Sequence, residues 1–87
     1  MDGNSDNSVV RYNLAYAHAL NREYEQAGAV LNTDFARTTE QVPEAYILAA
    51  RMKHFLADIK TAVGLVEKFL LQYPDHPFRS EARGVLA

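Results

Sequence analysis

The feature that most constrains the fold of this chain is an internal repeat. Aligned with itself, the sequence matches Ala15 with Ala50 and Ala27 with Ala62 at one offset of 35 residues (50 − 15 = 62 − 27 = 35). Two pairs of larger apolar residues keep the same offset: Tyr24 with Ile59, and Leu31 with Val66. A period of this length that holds two helices is typical of helical-repeat proteins. Because small residues let the two helices of a hairpin approach closely, the repeat predicts stacked helix hairpins.

The spacing of apolar residues predicts an all-α fold of five helices. Apolar residues recur at helical spacing over 8–21, 24–36, 43–56, 59–72 and 78–87. Residues 38–42 are expected to form a connection, and residues 1–7, which are mostly turn formers, a flexible N-terminal segment. The sequence contains no stretch of alternating apolar and polar residues, the pattern that would predict a strand. Helices joined by turns this short lie antiparallel to their neighbours.

Local signals predict several helix boundaries. Ser8 and Asp58 are expected to cap the first and fourth helices, because their side-chain oxygens can accept hydrogen bonds from the free amides of the next turn. Pro43 suits the first turn of the third helix, where its missing N–H costs nothing. Pro74 and Pro77 lie too close together for the fourth helix to continue through them. The first helix carries an apolar stripe at helical spacing: Val10, Leu14, Ala17 and Leu20.

At the repeated positions the chain resembles the tetratricopeptide repeat (TPR). The pattern of that family is matched by these segments: Tyr12-Asn13-Leu14-Ala15 and Tyr24-Glu25-Gln26-Ala27 in the first unit, and Ala45-Tyr46, Ala50, Ile59-Lys60-Thr61-Ala62 and Tyr73-Pro74 in the second. Some positions depart from it: Arg11 replaces an aromatic residue, His18 and Lys53 replace tyrosines, and Ala49 replaces a leucine. The first unit also lacks the terminal proline.

The resemblance implies an architecture of right-handed antiparallel helix-hairpin repeats. The expected TPR-like solenoid has about two repeats plus a C-terminal capping or truncated helix. Its domain spans 8–87, with repeat one at 8–42, repeat two at 43–76 and a partial third repeat at 77–87. About three units are generally needed for a stable solenoid, because one unit cannot bury its apolar face alone. We therefore expect the chain either to form a homo-oligomer or to be part of a longer repeat protein.

Composition argues against several classes of function. The formal net charge is −2 and the basic residues do not cluster, so no nucleic-acid partner is expected. No apolar run approaches the roughly 18 residues that would span a bilayer, so no membrane insertion is expected. The chain has no cysteine and therefore no disulfide or thiolate chemistry. The expected location is the cytoplasm, or the periplasm if a leader precedes this sequence.

No group of residues predicts catalysis, a metal site or a cofactor. His54 and Asp58 could share one face of a helix, but zinc needs three or four ligands and Asp58 is better explained as a helix cap. No serine lies in a glycine-flanked turn, and the glycines are too isolated to form a phosphate-binding loop. The carboxylates are spread over helix ends and outer faces. The sequence therefore predicts that the chain is not an enzyme.

The resemblance implies a binding surface instead, because the first helix of each TPR unit lines the concave face. The residues expected there are Tyr12, Tyr16 and Leu20 from the first unit, and Ile47, Arg51 and His54 from the second, with Phe55 beside them. Tyrosine and arginine are residue types that carry binding energy at interfaces, which favours a protein or peptide partner. The lysine and asparagine set that clamps a C-terminal carboxylate in some family members is absent.

Two alternatives remain open for these residues and for the chain. Tyr12 and Tyr16 could instead pack against the neighbouring helix, in which case their role is structural. The repeats could likewise serve as a scaffold or self-association segment of a longer repeat protein. An interaction module would lose partner binding, but not stability, when the groove residues are replaced.

Overall fold

A computed structural model describes residues 7–85, and within that range the chain is all-helical. Six helices follow one another: α1 (Ser8–Leu20), α2 (Tyr24–Asn32), α3 (Phe35–Gln41), α4 (Ala45–Phe55), α5 (Ile59–Gln72) and α6 (Arg79–Gly84). Helices α1 and α2 pack as one antiparallel hairpin and α4 and α5 as another, with α2 against α4 and α6 against α5. The predicted flexible segment 1–7 lies outside the described residues except for Asn7.

The two hairpins turn in the same way. Arg22 and Ala57, which are one repeat apart (57 − 22 = 35), both have left-handed backbone conformations, with φ of 62° and 66°. The next residue in each turn donates its amide back to the last turn of the helix: Glu23 to the His18 carbonyl at 2.9 Å, and Asp58 to the Lys53 carbonyl at 2.8 Å. This pattern closes a helix by satisfying carbonyls that have no partner within it. The repeat in the sequence therefore corresponds to a repeat in backbone geometry.

The four repeated alanines lie in the core. Each is completely buried: Ala15, Ala27, Ala50 and Ala62. Helix α4, whose residues 45–50 are all buried, packs against α1, α2, α3 and α5. A helical segment that is buried on all sides is expected at the centre of a fold. Two apolar clusters flank α4, one shared with α1 and α2 and the other with α5 and α6.

The prediction of one helix over 24–36 followed by a connection over 38–42 is wrong. Helix α2 ends at Asn32, Thr33 is extended, and Asp34 adopts a left-handed conformation with φ of 53°. Aspartate tolerates this conformation better than most residues, because its short side chain can form local hydrogen bonds. The chain then re-enters a helix at Phe35. The residues expected to be a connection instead form most of α3, with Thr38 and Thr39 buried.

A polar cluster joins α3 to α1. Arg11 donates from Nε to the Thr38 hydroxyl at 2.9 Å and from Nη2 to the Ser8 hydroxyl at 3.2 Å. The Thr38 hydroxyl in turn donates to the Asp34 carbonyl at 3.0 Å. Buried polar groups are costly without hydrogen-bond partners, and this network supplies them. Arg11 thus links α1 to α3 through its side chain.

The predicted cap at Ser8 is wrong, and the apolar stripe of α1 is exposed. Ser8 does not cap the helix: Asn7 precedes the first turn, and the Ser8 hydroxyl is buried and donates to the Arg37 carbonyl at 3.4 Å. The apolar stripe is also turned outward, with Val10 64% and Leu14 48% exposed. Helix α1 buries the face that contains Ala15 instead, because the close approach to α2 requires a small residue. A stripe of exposed apolar residues on one helix face is unusual in a monomer.

The remaining helix boundaries follow the local signals with small shifts. Pro43 lies in the turn before α4 rather than in its first helical turn. Helix α5 ends at Gln72, directly before the segment that contains Pro74 and Pro77, as predicted. The fifth predicted helix, 78–87, corresponds to α6, which is shorter at both ends, and residues 86 and 87 lie outside the described range.

The predicted cap at Asp58 is confirmed. Its carboxylate accepts a hydrogen bond from the Thr61 amide at 3.3 Å. Hydrogen bonds from the side chain and the amide of Thr61 hold the pKa of the Asp58 carboxyl below its usual range. A carboxyl whose pKa is lowered by folding stabilises the fold above its unfolded pKa, about 3.9, and loses that contribution as the pH falls through the lowered value.

Replacing Asp58 by alanine should therefore lower the midpoint of thermal unfolding at pH 7, because the first turn of α5 loses its acceptor. The difference from the unchanged protein should shrink as the pH is lowered below about 4. Thermal unfolding at several pH values, followed by the circular dichroism signal of the helices, measures both effects. Asp58→Asn is the matched control, since its amide oxygen still caps the helix but does not titrate. A difference independent of pH for Asp58→Ala would contradict the charge argument.

Candidate functional site

Helices α1, α4 and α6 together line a groove that consists of three adjoining cavities. Their volumes are about 240, 260 and 390 Å³. Arg51 lines all three cavities, Tyr16 lines the first and second, and Glu81 lines the first and third. The cavities are therefore parts of one continuous surface, which we call the groove. Its central side chain, Arg51, lies in the middle of α4.

The structure brings all six sequence-predicted residues to this groove. Their distribution is as follows: Tyr12 and Ile47 line the first cavity, Tyr16 and Arg51 the first and second, Leu20 the second, and His54 the third. Phe55 lines the second and third cavities. Tyr16 is 47% exposed and Leu20 is more exposed still, whereas Ile47 is buried and forms the floor. Helical spacing along α1 and α4 therefore gathers these side chains on one side of the molecule.

Tyr12 lies between the core and the groove. It packs against the apolar cluster shared by α1, α2 and α4, and its ring lies 6.2 Å from that of Tyr16 at an angle of 40°. Burial raises the pKa of the Tyr12 phenol, and the Glu44 carboxylate acts in the same direction while the Arg51 guanidinium opposes them. Tyr12 therefore both packs against the core and lines the groove, whereas Tyr16 mainly lines the groove.

Charged groups occupy the side of the groove opposite α1. Arg51 Nη2 lies 3.9 Å from Glu81 Oε2, and both side chains are about half exposed. Glu44 Oε1 lies 3.9 Å from Nε2 of His76, at the boundary between α5 and α6. The Arg51–Glu81 ion pair is long and half exposed, so it contributes little to stability. These side chains remain available for contacts with another molecule.

The second cavity has a more apolar lining than the first, and two aromatic rings form part of its wall. The rings of Phe55 and Tyr24 stack at 4.6 Å with an angle of 12°, which joins the end of α4 to the start of α2. Leu20 lies on the opposite side of this cavity. Phe55 is 58% exposed, so the stacked pair presents a flat apolar surface to the groove. Aromatic residues exposed in a concavity are typical anchors for a partner side chain.

The sequence prediction missed ten residues that line the groove, and three of them bring charge or an aromatic ring to the first cavity: Glu44, Phe78 and Glu81. A signal for Glu81 was present, because it lies one second-repeat length after Ile47 (81 − 47 = 34). Extending the repeat into the partial third unit would have added α6 to the groove. Glu44 and Phe78 were expected at the starts of the third and fifth predicted helices. They lie instead in the turns before α4 and α6, and these turns bring them to the first cavity.

A fourth cavity, of about 200 Å³, lies away from the groove between α2 and α5. Its lining is mostly apolar and includes Leu31, Phe35, Met52, Leu56 and Leu65. Gly28 also borders it, with no other side chain close to the position that a Cβ would occupy. None of the sequence-predicted site residues lies there. This cavity has no charged group other than Lys53 at its edge.

Between residues 7 and 85 the structure contains neither a group of three metal-binding side chains nor a helix that could span a membrane. In that range no three side chains of the metal-binding types His, Cys, Asp or Glu come together, and Asp58 is engaged by Thr61. None of the helices in the described part of the chain is long and apolar enough to cross a bilayer. The polar side chains that line the first cavity of the groove are two tyrosines, one arginine and two glutamates.

Comparisons with known proteins give no relative for this chain. No protein-family model, no curated protein and no solved structure matches it.

Proposed function

We propose that this chain is a protein-interaction module of TPR-like repeats, which holds a peptide or a helix of a partner protein in the groove. The observation that carries the proposal is that six residues from α1 and α4, which the resemblance to the TPR family implied for the concave face, line the three adjoining cavities of the groove. The stacking of α2 on α4, and of α6 on α5, supports a solenoid-like arrangement in which the first helix of each hairpin lines the groove.

The chemistry of the groove favours protein over other partners. Tyr16, Leu20 and Phe55 are exposed together, and Arg51 lies among them. Tyrosine and arginine are enriched among the residues that dominate binding energies, because each combines a large contact area with a polar group. An exposed apolar side chain in a concave surface gains about 25 cal/mol for each Å² that a partner covers. A peptide side chain that enters the second cavity and covers Tyr16, Leu20 or Phe55 would obtain this gain.

Two substitutions test the proposal directly. Tyr16→Ala and Arg51→Ala remove groove side chains that are about half exposed, so each should leave the thermal midpoint nearly unchanged. We expect peptides selected on the unchanged protein from a random library to bind each variant at least about tenfold more weakly, the loss typical of a dominant interface residue. Fluorescence anisotropy with labelled peptides measures the affinity.

Leu71→Ala is the matched control, since Leu71 is exposed on α5 and lines none of the four cavities described above. Its affinity for the same peptides should equal that of the unchanged protein. Selected peptides that bind all three variants equally well would show that the groove is not the binding surface. Failure to select any saturable binder would count against an interaction module of this kind.

A second candidate function is self-association or extension of a longer repeat scaffold. It is favoured by the outward face of α1, where Val9, Val10 and Leu14 are exposed next to one another. In a helical-repeat array such a face is where the preceding unit would pack. Sedimentation equilibrium over a wide range of concentrations distinguishes these cases. A dimer that dissociates when Val10 and Leu14 are both replaced by serine would support this alternative, and a monomer at all concentrations would remove self-association.

A further inference from the structure

We propose that the first cavity of the groove binds the side chain of a basic residue, lysine or arginine, from the partner protein. The inference rests on the proposed function, and it adds the chemistry that the partner must present. Its basis is the combination of aromatic rings and carboxylates around a space of about 240 Å³, large enough for one long side chain. The cavity is already present in the protein by itself.

Aromatic rings form two sides of the cavity. Tyr12 and Tyr16 provide a tilted pair with ring centres 6.2 Å apart, and Phe78 lines the side contributed by the turn before α6. The face of an aromatic ring attracts a cation within about 6 Å, through the negative charge density above the ring. The same rings would also cover the aliphatic stem of a lysine or arginine, which is apolar up to its charged end.

Carboxylates provide the charge. Glu44 and Glu81 line the cavity together with one cation, Arg51, so the formal charge of the lining is −1 (two carboxylates and one guanidinium). Arg51 is directed towards Glu81, at 3.9 Å, and is shared with the other two cavities. The raised pKa of the Tyr12 phenol, to which both carboxylates contribute after burial, agrees with a negative potential at this point.

His76 does not neutralise Glu44 in this arrangement. The Phe78 amide donates a hydrogen bond to Nδ1 of His76 at 3.0 Å, and an amide can only donate, so Nδ1 acts as the acceptor and carries no proton. The proton of the neutral ring is then on Nε2, the atom that faces Glu44 at 3.9 Å. The carboxylate therefore keeps its net charge. An incoming cation would be the group that compensates it.

An anionic side chain is a poorer occupant of the same cavity. It would approach Arg51 but also two carboxylates, and like charges brought together in a partly desolvated site are repulsive. A neutral apolar side chain could fill the space, yet it would leave Glu44 and Glu81 covered without a cation. Covering charged groups without a partner is unfavourable. Charge complementarity thus selects a basic residue.

The test uses three small probes with the unchanged protein: N-acetyl-arginine amide, N-acetyl-norleucine amide and N-acetyl-glutamate amide. Two-dimensional NMR of the ¹⁵N-labelled chain at low salt follows its amide signals. We expect the arginine probe to shift the signals of Tyr16, Phe78 and Glu81, and to bind about tenfold more tightly than the other two probes. Because this comparison is made on one protein, it does not depend on whether any variant folds.

A variant then tests the role of the carboxylates. Replacing Glu44 and Glu81 together by glutamine keeps their size and removes their charge, so arginine-probe binding should fall to the level of the norleucine probe. Glu67→Gln, at an exposed position of α5 that lines none of the four cavities, is the control and should bind as the unchanged protein does. Equal shifts by all three probes, or arginine-induced shifts away from the first cavity, would overturn the inference.

The peptides selected for the groove separate this inference from the proposed function. If they bind, lose affinity in Tyr16→Ala and depend on a lysine or arginine, both proposals are supported. Replacement of that residue by norleucine should then weaken binding about tenfold. If the peptides bind in the groove but contain no basic residue whose replacement matters, the proposed function stands and the inference fails.

Discussion

Replacing Phe69 by alanine is expected to lower the free energy of unfolding by about 3–5 kcal/mol, the range observed when a buried aromatic residue is truncated. Phe69 is completely buried, and its ring lies between those of Tyr46, Tyr73 and His76, at 6.4, 5.6 and 5.2 Å. The loss combines the missing apolar contacts with the cavity left between α4, α5 and α6. For a chain of 87 residues, total stabilities of about 4–13 kcal/mol are usual, so this loss is a large fraction of the total.

Urea denaturation followed by circular dichroism measures this effect. Leu71→Ala, two positions along the same helix, is the control: Leu71 is 82% exposed, and its truncation should change the free energy of unfolding by no more than about 0.5 kcal/mol. A loss below about 1 kcal/mol in Phe69→Ala would mean that the packing of α6 and of the segment after α5 onto this ring is not formed in solution.

The second large effect is expected for Leu31→Ala, at about 2–5 kcal/mol. Leu31 is 1% exposed and belongs to the cluster that joins the first hairpin to α4. It also lines the cavity between α2 and α5, so its truncation would enlarge an existing space that neighbouring side chains already fail to fill. The cost of a cavity grows with its volume, and we therefore expect a value in the upper part of the range.

Leu14→Ala is the matched control for Leu31→Ala, because it removes the same atoms from a side chain that is 48% exposed.

Phe69→Ala and Leu31→Ala should each unfold in a single transition. Phe35 and Leu65 pack against both apolar clusters, so the two hairpins are expected to unfold in a single transition. Separate transitions for the two variants, measured at two wavelengths, would show that the hairpins are independent.

The groove illustrates how much of a site a repeat can predict. Tyr12 and Ile47, and likewise Tyr16 and Arg51, are one repeat apart (47 − 12 = 51 − 16 = 35), and equivalent positions in stacked hairpins lie on the same side of the structure. Glu81 continues the first series, and only the failure to extend the pattern left it out. Glu44 and Phe78 were not found in this way, because the sequence placed both at the starts of predicted helices, whereas the structure has them in the turns before α4 and α6.

The course of the chain after α2 could not be predicted from periodicity. Phe35 falls at helical spacing from Leu31, so an apolar pattern cannot reveal that Asp34 between them adopts a left-handed conformation. What fixes α3 is tertiary: Arg11 reaches across from α1 to Thr38, and the two elements order each other. Hydrogen bonds between residues distant in sequence leave no local signal.

The sequence by itself determined the helical class, the equivalence of the two hairpins and the residues that meet at their centres. These follow from local spacing, because a small residue at the same place in each helix permits one close crossing and excludes others. Which face of α1 is buried was decided only by the tertiary structure. The stripe that contains Val10 and Leu14 is the more apolar one, but the close contact with α2 requires Ala15, so the larger residues are turned outward. Packing geometry outweighed the burial of apolar area, since two helices cannot approach closely through bulky side chains.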